Sequence, residues 1–121
     1  MIELKPVLKR LHSPDVLNIE SYTPDDPTNF CLLLQIMFGP ENSEGEESFD
    51  VVVCTPRWLT TEVEKRGFID GRHHIILDKF DLDLLRSYFT EFAKECSGKT
   101  WQEVARKLSR LGKWEFEDYK P

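Results

Sequence analysis

Apolar positions recur with a period of two in the first half of this chain and with a period of three to four in much of the second, so strands lead and helices follow. Residues 48–59, SFDVVVCTPRWL, are the pivot. Phe49 to Cys54 is a β-branched and aromatic run, suited to a central strand covered on one face and partly on the other. Thr55 then offers a hydroxyl to free backbone N–H groups, and Pro56 fits the first helical position, where its fixed φ is right and its missing N–H costs nothing. Residues 30–38, FCLLLQIMF, alternate, with Phe30, Leu32, Leu34, Ile36 and Phe38 on one face and Cys31, Leu33, Gln35 and Met37 on the other. The two runs predict a hairpin at the middle of a sheet. Gly39-Pro40 is expected to end the first strand, and residues 39–47 to loop between the two.

The flanks follow the same logic. Residues 2–11 predict an edge strand with Ile2, Leu4 and either Val7 or Leu8 inward. Pro14, Pro24 and Pro27, with Asp and Asn beside them, set turns and leave room for one short strand near Val16 to Tyr22. The helix from Pro56 runs through Trp58, Leu59 and Val63 to Lys65 and Arg66, with Gly67 as a left-handed cap. After an Asp70-Gly71 turn, a strand is expected from His73 or His74 to Leu77. Asp81 is the N-cap of the next helix, with Phe80 and Leu85 as a hydrophobic staple and Leu82, Leu85, Phe89, Phe92 and Cys96 at helical spacing up to Gly98. Thr100 and Glu103 form a capping box for a last helix, whose stripe is Trp101, Val104, Ala105, Leu108 and Leu111. In the tail, Trp114, Phe116 and Tyr119 alternate with acids, as a last strand or as packing along the helices. Strands, one helix, a strand and two helices, with no repeated βαβ unit, predict an α+β fold: a mainly antiparallel β-sheet with about three helices packed on one face. An uncovered opposite face bearing Leu33 and Met37 would be a dimer or partner surface.

Composition narrows this to a single domain over residues 1–121, long enough to bury roughly 65% of its unfolded surface without metal or disulfide staples. No apolar run has signal-peptide length and none approaches the roughly 20 residues that span a bilayer, so a cytoplasmic protein with no membrane partner is expected. Cys31, Cys54 and Cys96 form no C-x-x-C pair and read as buried, reduced thiols. The net charge is −6, but its distribution matters more. Between Arg10 and Arg57 there is no Lys or Arg, while Asp15, Glu20, Asp25, Asp26, Glu41, Glu44, Glu46, Glu47 and Asp50 place nine of the 22 acids there. Such an acidic pole would repel nucleic acid and anionic membrane and attract a basic partner.

Catalytic chemistry finds little support. His73-His74 near Asp70, Arg72 and Asp78 is the best candidate, but adjacent strand residues point to opposite faces and cannot readily share a metal. No nucleophile elbow, Gly-rich phosphate loop or Cys cluster is present, so neither an enzyme nor a cofactor is expected. Arg106, Lys107, Arg110 and Lys113 read as a solvated helix face, and the acidic pI of 5.1 argues against direct nucleic-acid binding.

Three segments carry a resemblance. SFDVVVCTPRWL at 48–59, GRHHIIL at 71–77 and SGKTWQEVARKLSRLGKWEFEDY at 97–119 resemble the immunity protein 8 family, whose members accompany bacterial polymorphic toxins and contact-dependent growth-inhibition effectors. The resemblance covers nearly the whole chain. It implies a small protein that binds and blocks a cognate toxin domain, frequently a nuclease with a basic surface. The acid-only segment would then mimic nucleic acid or plug a basic cleft, with Glu41, Glu44, Glu46 and Glu47 the first toxin-binding candidates, then Asp25 and Asp26, and Asp15 and Glu20 in the same set. Trp58, Leu59, Trp101 and Trp114 are expected to hold the fold. Two other classes of function stay open at this point: an acidic adaptor for a basic protein partner, and a small hydrolase using His73 or His74.

Overall fold

In the computed structural model, which describes residues 3–118, the alternating run becomes the long strand β2 (Cys31–Pro40). It pairs antiparallel with β1 (Pro6–His12) on one edge and with β3 (Glu47–Cys54) on the other. The far edge of β3 is shared by two short strands. β4 (His74–Ile76) runs parallel beside Val52 to Cys54, and β5 (Lys113–Trp114) runs antiparallel beside Phe49 and Asp50. The fold is α+β, as expected, with one parallel pair in a mainly antiparallel sheet. That pair exists because helix α1 (Pro56–Arg66) carries the chain back from the end of β3 before β4 begins.

The join between β3 and α1 is built on Thr55. Its fully buried hydroxyl accepts from Trp58 N–H at 3.4 Å, capping α1, and from Phe30 N–H at 3.2 Å, where β2 begins. Gly67, at φ 90°, closes the helix by donating to the Val63 carbonyl. Helices α2 (Leu82–Lys94) and α3 (Trp101–Leu108) cover one face of the sheet. Between them and the sheet lie Leu34, Ile36, Phe38, Phe49, Val51, Val53, Phe89, Val104 and Leu108, all essentially inaccessible to water. Asp81 and Thr100 cap the two helices as the spacing predicts, accepting from Leu84 N–H and Glu103 N–H. The Glu103 carboxylate reaches back one residue further than a standard box, to Lys99 N–H.

Several expectations shift. β2 does not stop at Phe38: Gly39 and Pro40 stay in the ladder opposite Val7 and Pro6, so the acidic loop shrinks to residues 41–46 and Glu47 belongs to β3. The first strand starts at Pro6, and Leu4 makes only an isolated bridge to Gly98; Ile2 lies outside the described residues. Leu8 and Leu11, three apart, both pack on the core because the β1–β2 register slips between Leu8 and Arg10, which returns the strand to the same face. Residues 16–22 form no strand. Asn18 Oδ1 accepts from Glu20 N–H and winds Ile19–Ser21 into a 3-10 turn that buries Ile19 and leaves Leu17 in solvent. Helix α1 has no buried residue, so Trp58 and Leu59 do not join the core that Trp101 and Trp114 pack against. The tail supplies β5, seated against β3 because Gly112 has no side chain: a Cβ there would stand 3.0 Å from the Phe49 carbonyl carbon. Tyr119 lies outside the described residues.

Candidate functional site

The acid-rich segment of the sequence is divided by the hairpin it contains. Asp15, Glu20, Asp25 and Asp26 sit in the connection between β1 and β2, beside the end of the sheet where Cys31 pairs with Cys54. Glu41, Glu44, Glu46 and Glu47 sit at the other end of β2, about 30 Å away at ~3.3 Å per strand residue. The eight candidates therefore form two groups rather than one pole.

Most of the eight are engaged within the protein. Asp15 Oδ2 accepts from Leu33 N–H at 2.9 Å, on the part of β2 that β1 has already left. Glu20 pairs with Arg86 of α2. Asp26 accepts from both the hydroxyl and the N–H of Thr28, which together hold its carboxyl below the ordinary range, with Arg57 adding to the effect from 3.7 Å. Glu46 pairs with Arg10 at 2.7 Å. The bases missing from the segment have thus come in from outside it. Such exposed pairs are worth only ~0–1 kcal/mol each, but they reduce the charge left for a partner. Asp25, Glu41 and Glu44 are exposed, and their carboxylates have no hydrogen bond or ion pair among the described residues.

Glu47 has a different place. Its Oε1 accepts from the indole N–H of Trp101 at 2.7 Å and from that of Trp114 at 2.8 Å, so one carboxylate ties α3 and β5 to β3. A half-buried indole needs an acceptor, and two tryptophans on the late elements are the signal in the sequence that could have pointed to one. The neighbouring loop is fixed as well. Lys9 Nζ donates to the Ser43 carbonyl, the Ser43 hydroxyl accepts from Gly45 N–H, and Gly45 lies so close to Gly39 that a Cβ there would fall 1.9 Å from the Gly45 carbonyl oxygen. Glu41 and Glu44 are therefore presented on a held loop.

The histidines and cysteines of the described residues are not gathered into a common cluster. His74 Nδ1 lies 2.7 Å from the Arg72 carbonyl oxygen, His73 sits at φ 55°, and no group of three potential metal ligands occurs among the described residues. Arg72 closes the Asp70 turn, and its hydrogen bonds hold the Asp70 carboxyl down to about 2. Cys31 stands opposite Cys54 in the ladder and, contrary to expectation, is exposed, whereas Cys54 and Cys96 are buried. Partial burial, then the neighbouring Cys54, Asp15 and Glu62, pushes the Cys31 thiol up to about 11. Alkylation of Cys31 by iodoacetamide is expected to be slow at neutral pH and to rise about tenfold per pH unit toward that value, because only the thiolate reacts. A rate levelling off near pH 8.5 would contradict this environment.

No helix among the described residues is long and apolar enough to cross a membrane. No curated protein and no solved structure matches the chain. A family model described as Immunity protein 8 matches residues 6–119, from the first residue of β1 past the end of β5. The match takes in the strand-to-helix join at Thr55, the Asp70 turn and the two capped helices, and on it the chain belongs to the immunity protein 8 family, whose members are immunity proteins that bind a cognate toxin.

Proposed function

We propose that this protein neutralises its toxin in the cytoplasm by one-to-one occlusion, that the toxin presents a basic surface of the kind a nuclease uses to hold nucleic acid, and that exposed carboxylates steer the encounter. The observation that carries the reading is the contrast among the eight candidates. Asp15, Glu20, Asp26, Glu46 and Glu47 are bonded to donors within the fold, while Asp25, Glu41 and Glu44 stand exposed with none. With a net charge of −6, those free carboxylates raise the local potential for a cationic partner without costing the fold anything when they are used. Charges of this kind act mainly on the association rate.

The test uses the toxin domain encoded beside this chain, carrying an inactivating substitution, with association followed by stopped flow at low and physiological salt. The triple variant Asp25→Asn, Glu41→Gln, Glu44→Gln is expected to associate roughly 3- to 10-fold more slowly at low salt, with a flatter salt dependence and an unchanged dissociation rate. Wild-type association in the variant would remove these residues from the encounter. Failure of the wild-type protein to bind that toxin would remove the occlusion reading itself.

A further inference from the structure

Helix α2 is wider on its apolar side than the core it covers. Leu85, Phe89 and Ala93 are buried, but Leu84 and Tyr88, one turn apart on the adjoining stripe, are 57% and 48% exposed. Both line a groove of about 360 Å³ whose other wall is β4, including Ile76 at 54% exposure. Large apolar side chains are commonly exposed singly; three converging on one groove are not ordinary surface. The Tyr88 ring is already placed by contacts with Phe89 and Phe92, at centroid distances of 6.0 and 6.1 Å.

The β4 wall of the groove is a sheet edge. β4 ends the strand order on this side, and no strand among the described residues pairs with its outer edge. Val52 N–H donates to the His73 carbonyl at 2.9 Å and Leu77 N–H to the Cys54 carbonyl at 3.0 Å. In a parallel ladder that alternation turns Ile75 toward β3 and directs the backbone N–H and C=O groups of His74 and Ile76 outward. Unpaired donors and acceptors lie along an apolar overhang, which is the geometry that receives an extended peptide.

We infer that an extended segment of the toxin docks here, adding a strand to β4 with its alternate apolar side chains beneath Leu84 and Tyr88. This rests on the reading that the chain binds a toxin, and it names the surface that holds the complex once charge has brought the two together. The rim identifies the occupant. The connection from β4 to α2 carries Asp78 and Asp81 against Lys79, with Asp83 following in the first turn of α2. Phe80 N–H on it donates to the Pro27 carbonyl, which brings the exposed Asp25, beside the Asp26–Arg57 pair, to the same end. A second copy of this chain would set that acidic rim against itself. A segment whose apolar residues are flanked by Lys or Arg complements it. Free carboxylates then govern how fast the toxin arrives, and the groove governs how long it stays.

Two variants and one exchange measurement test this with the same inactivated toxin domain. Ile76→Pro removes an outward N–H while leaving the Ile75 ladder to β3 in place, and Leu84→Ala with Tyr88→Ala truncates side chains that are already exposed, so the second variant serves if the first folds poorly. Each is expected to weaken binding at least ~10-fold, chiefly through faster dissociation, as loss of central apolar anchors does. In the wild-type complex, hydrogen exchange at the His74 and Ile76 amides is expected to slow. Wild-type dissociation in both variants, with unchanged exchange at those amides, overturns the docking site and leaves toxin binding standing. No toxin binding by the wild-type protein overturns both readings. A dimer of the free wild-type protein that Ile76→Pro dissolves assigns the groove to a second copy and overturns the proposed occupant.

Discussion

Replacing Glu47 with Ala is expected to lower the unfolding free energy by about 2–4 kcal/mol, an effect out of proportion to a surface glutamate. The carboxylate accepts from two indole N–H groups, Trp101 at 2.7 Å and Trp114 at 2.8 Å, and nothing else among the described residues bonds to either nitrogen. A hydrogen bond to a charged acceptor contributes roughly 1.5–3 kcal/mol, and a buried donor left without one costs about 1–3 kcal/mol. Both rings are only half-buried, so water recovers part of the loss, and the lower half of the combined range is the better estimate. Glu47→Gln keeps an oxygen in place without the charge and is expected to cost about 1–2 kcal/mol. Urea denaturation read by far-UV circular dichroism gives the midpoints. In a double-mutant cycle, Trp114→Phe removes the N–H and keeps much of the ring, so a coupling near 1 kcal/mol or more is expected between it and Glu47→Ala. A Glu47→Ala midpoint within error of wild type would show that the two indoles are satisfied by solvent and that the carboxylate is free for another use.

This result bears on function as much as on stability. Glu47 stood in the sequence among four glutamates in what reads as one acidic loop, and Gln substitution of all four together would mix a fold-holding residue with exposed ones. The structure separates them. Glu41 and Glu44 project from residues 41–46, Glu46 meets Arg10, and Glu47 lies in β3. An association experiment that included Glu47 would mix a loss of stability around Trp101 and Trp114 with the loss of charge.

What the sequence shows well is local. The caps at Thr55, Asp81 and Thr100 and the left-handed close at Gly67 depend on residues within four positions of one another, and all four are found. The alternation of residues 30–38 likewise assigns Leu32, Leu34, Ile36 and Phe38 to the core with no knowledge of what covers them. What fails is distance in three dimensions. The partners of Glu47 are 54 and 67 residues away, and Arg86 reaches Glu20 across 66. A run of acids adjacent in sequence was separated to opposite ends of the sheet because a ten-residue strand lies inside it. The 3-10 turn at Ile19–Ser21 was hidden for another reason: a single side-chain bond from Asn18 outweighed the strand propensity of the residues around it. The groove beside β4 lies outside what the spacing assigns, since Leu84 and Tyr88 fall off the stripe Leu82, Leu85, Phe89, Phe92 and Cys96, and only the fold sets them against a strand whose outer edge has no partner strand among the described residues.

The largest loss in the core is expected at Phe49. Phe49→Ala should remove about 3–5 kcal/mol, a large part of the 5–15 kcal/mol that holds an ordinary domain together. Phe49 is fully buried, meets Phe38 edge-on at 5.6 Å, and stacks at 10° on Trp114, its partner in the β3–β5 register. The cavity would not refill from the β5 side. The chain is already in contact with the Phe49 backbone at Gly112, so it has no room to settle further inward. Phe49→Leu, which keeps most of the volume, is expected to cost only ~1–2 kcal/mol. Because Phe49 and Glu47 both hold Trp114, one by stacking and the other by hydrogen bonding, their alanine variants should be sub-additive: once either has released β5, the second has less left to lose. Thermal or urea unfolding of the two single variants and the double variant measures this directly. Strict additivity would mean that β5 is held at two independent points, and that the exposed end of the sheet is less of a unit than the shared tryptophan implies.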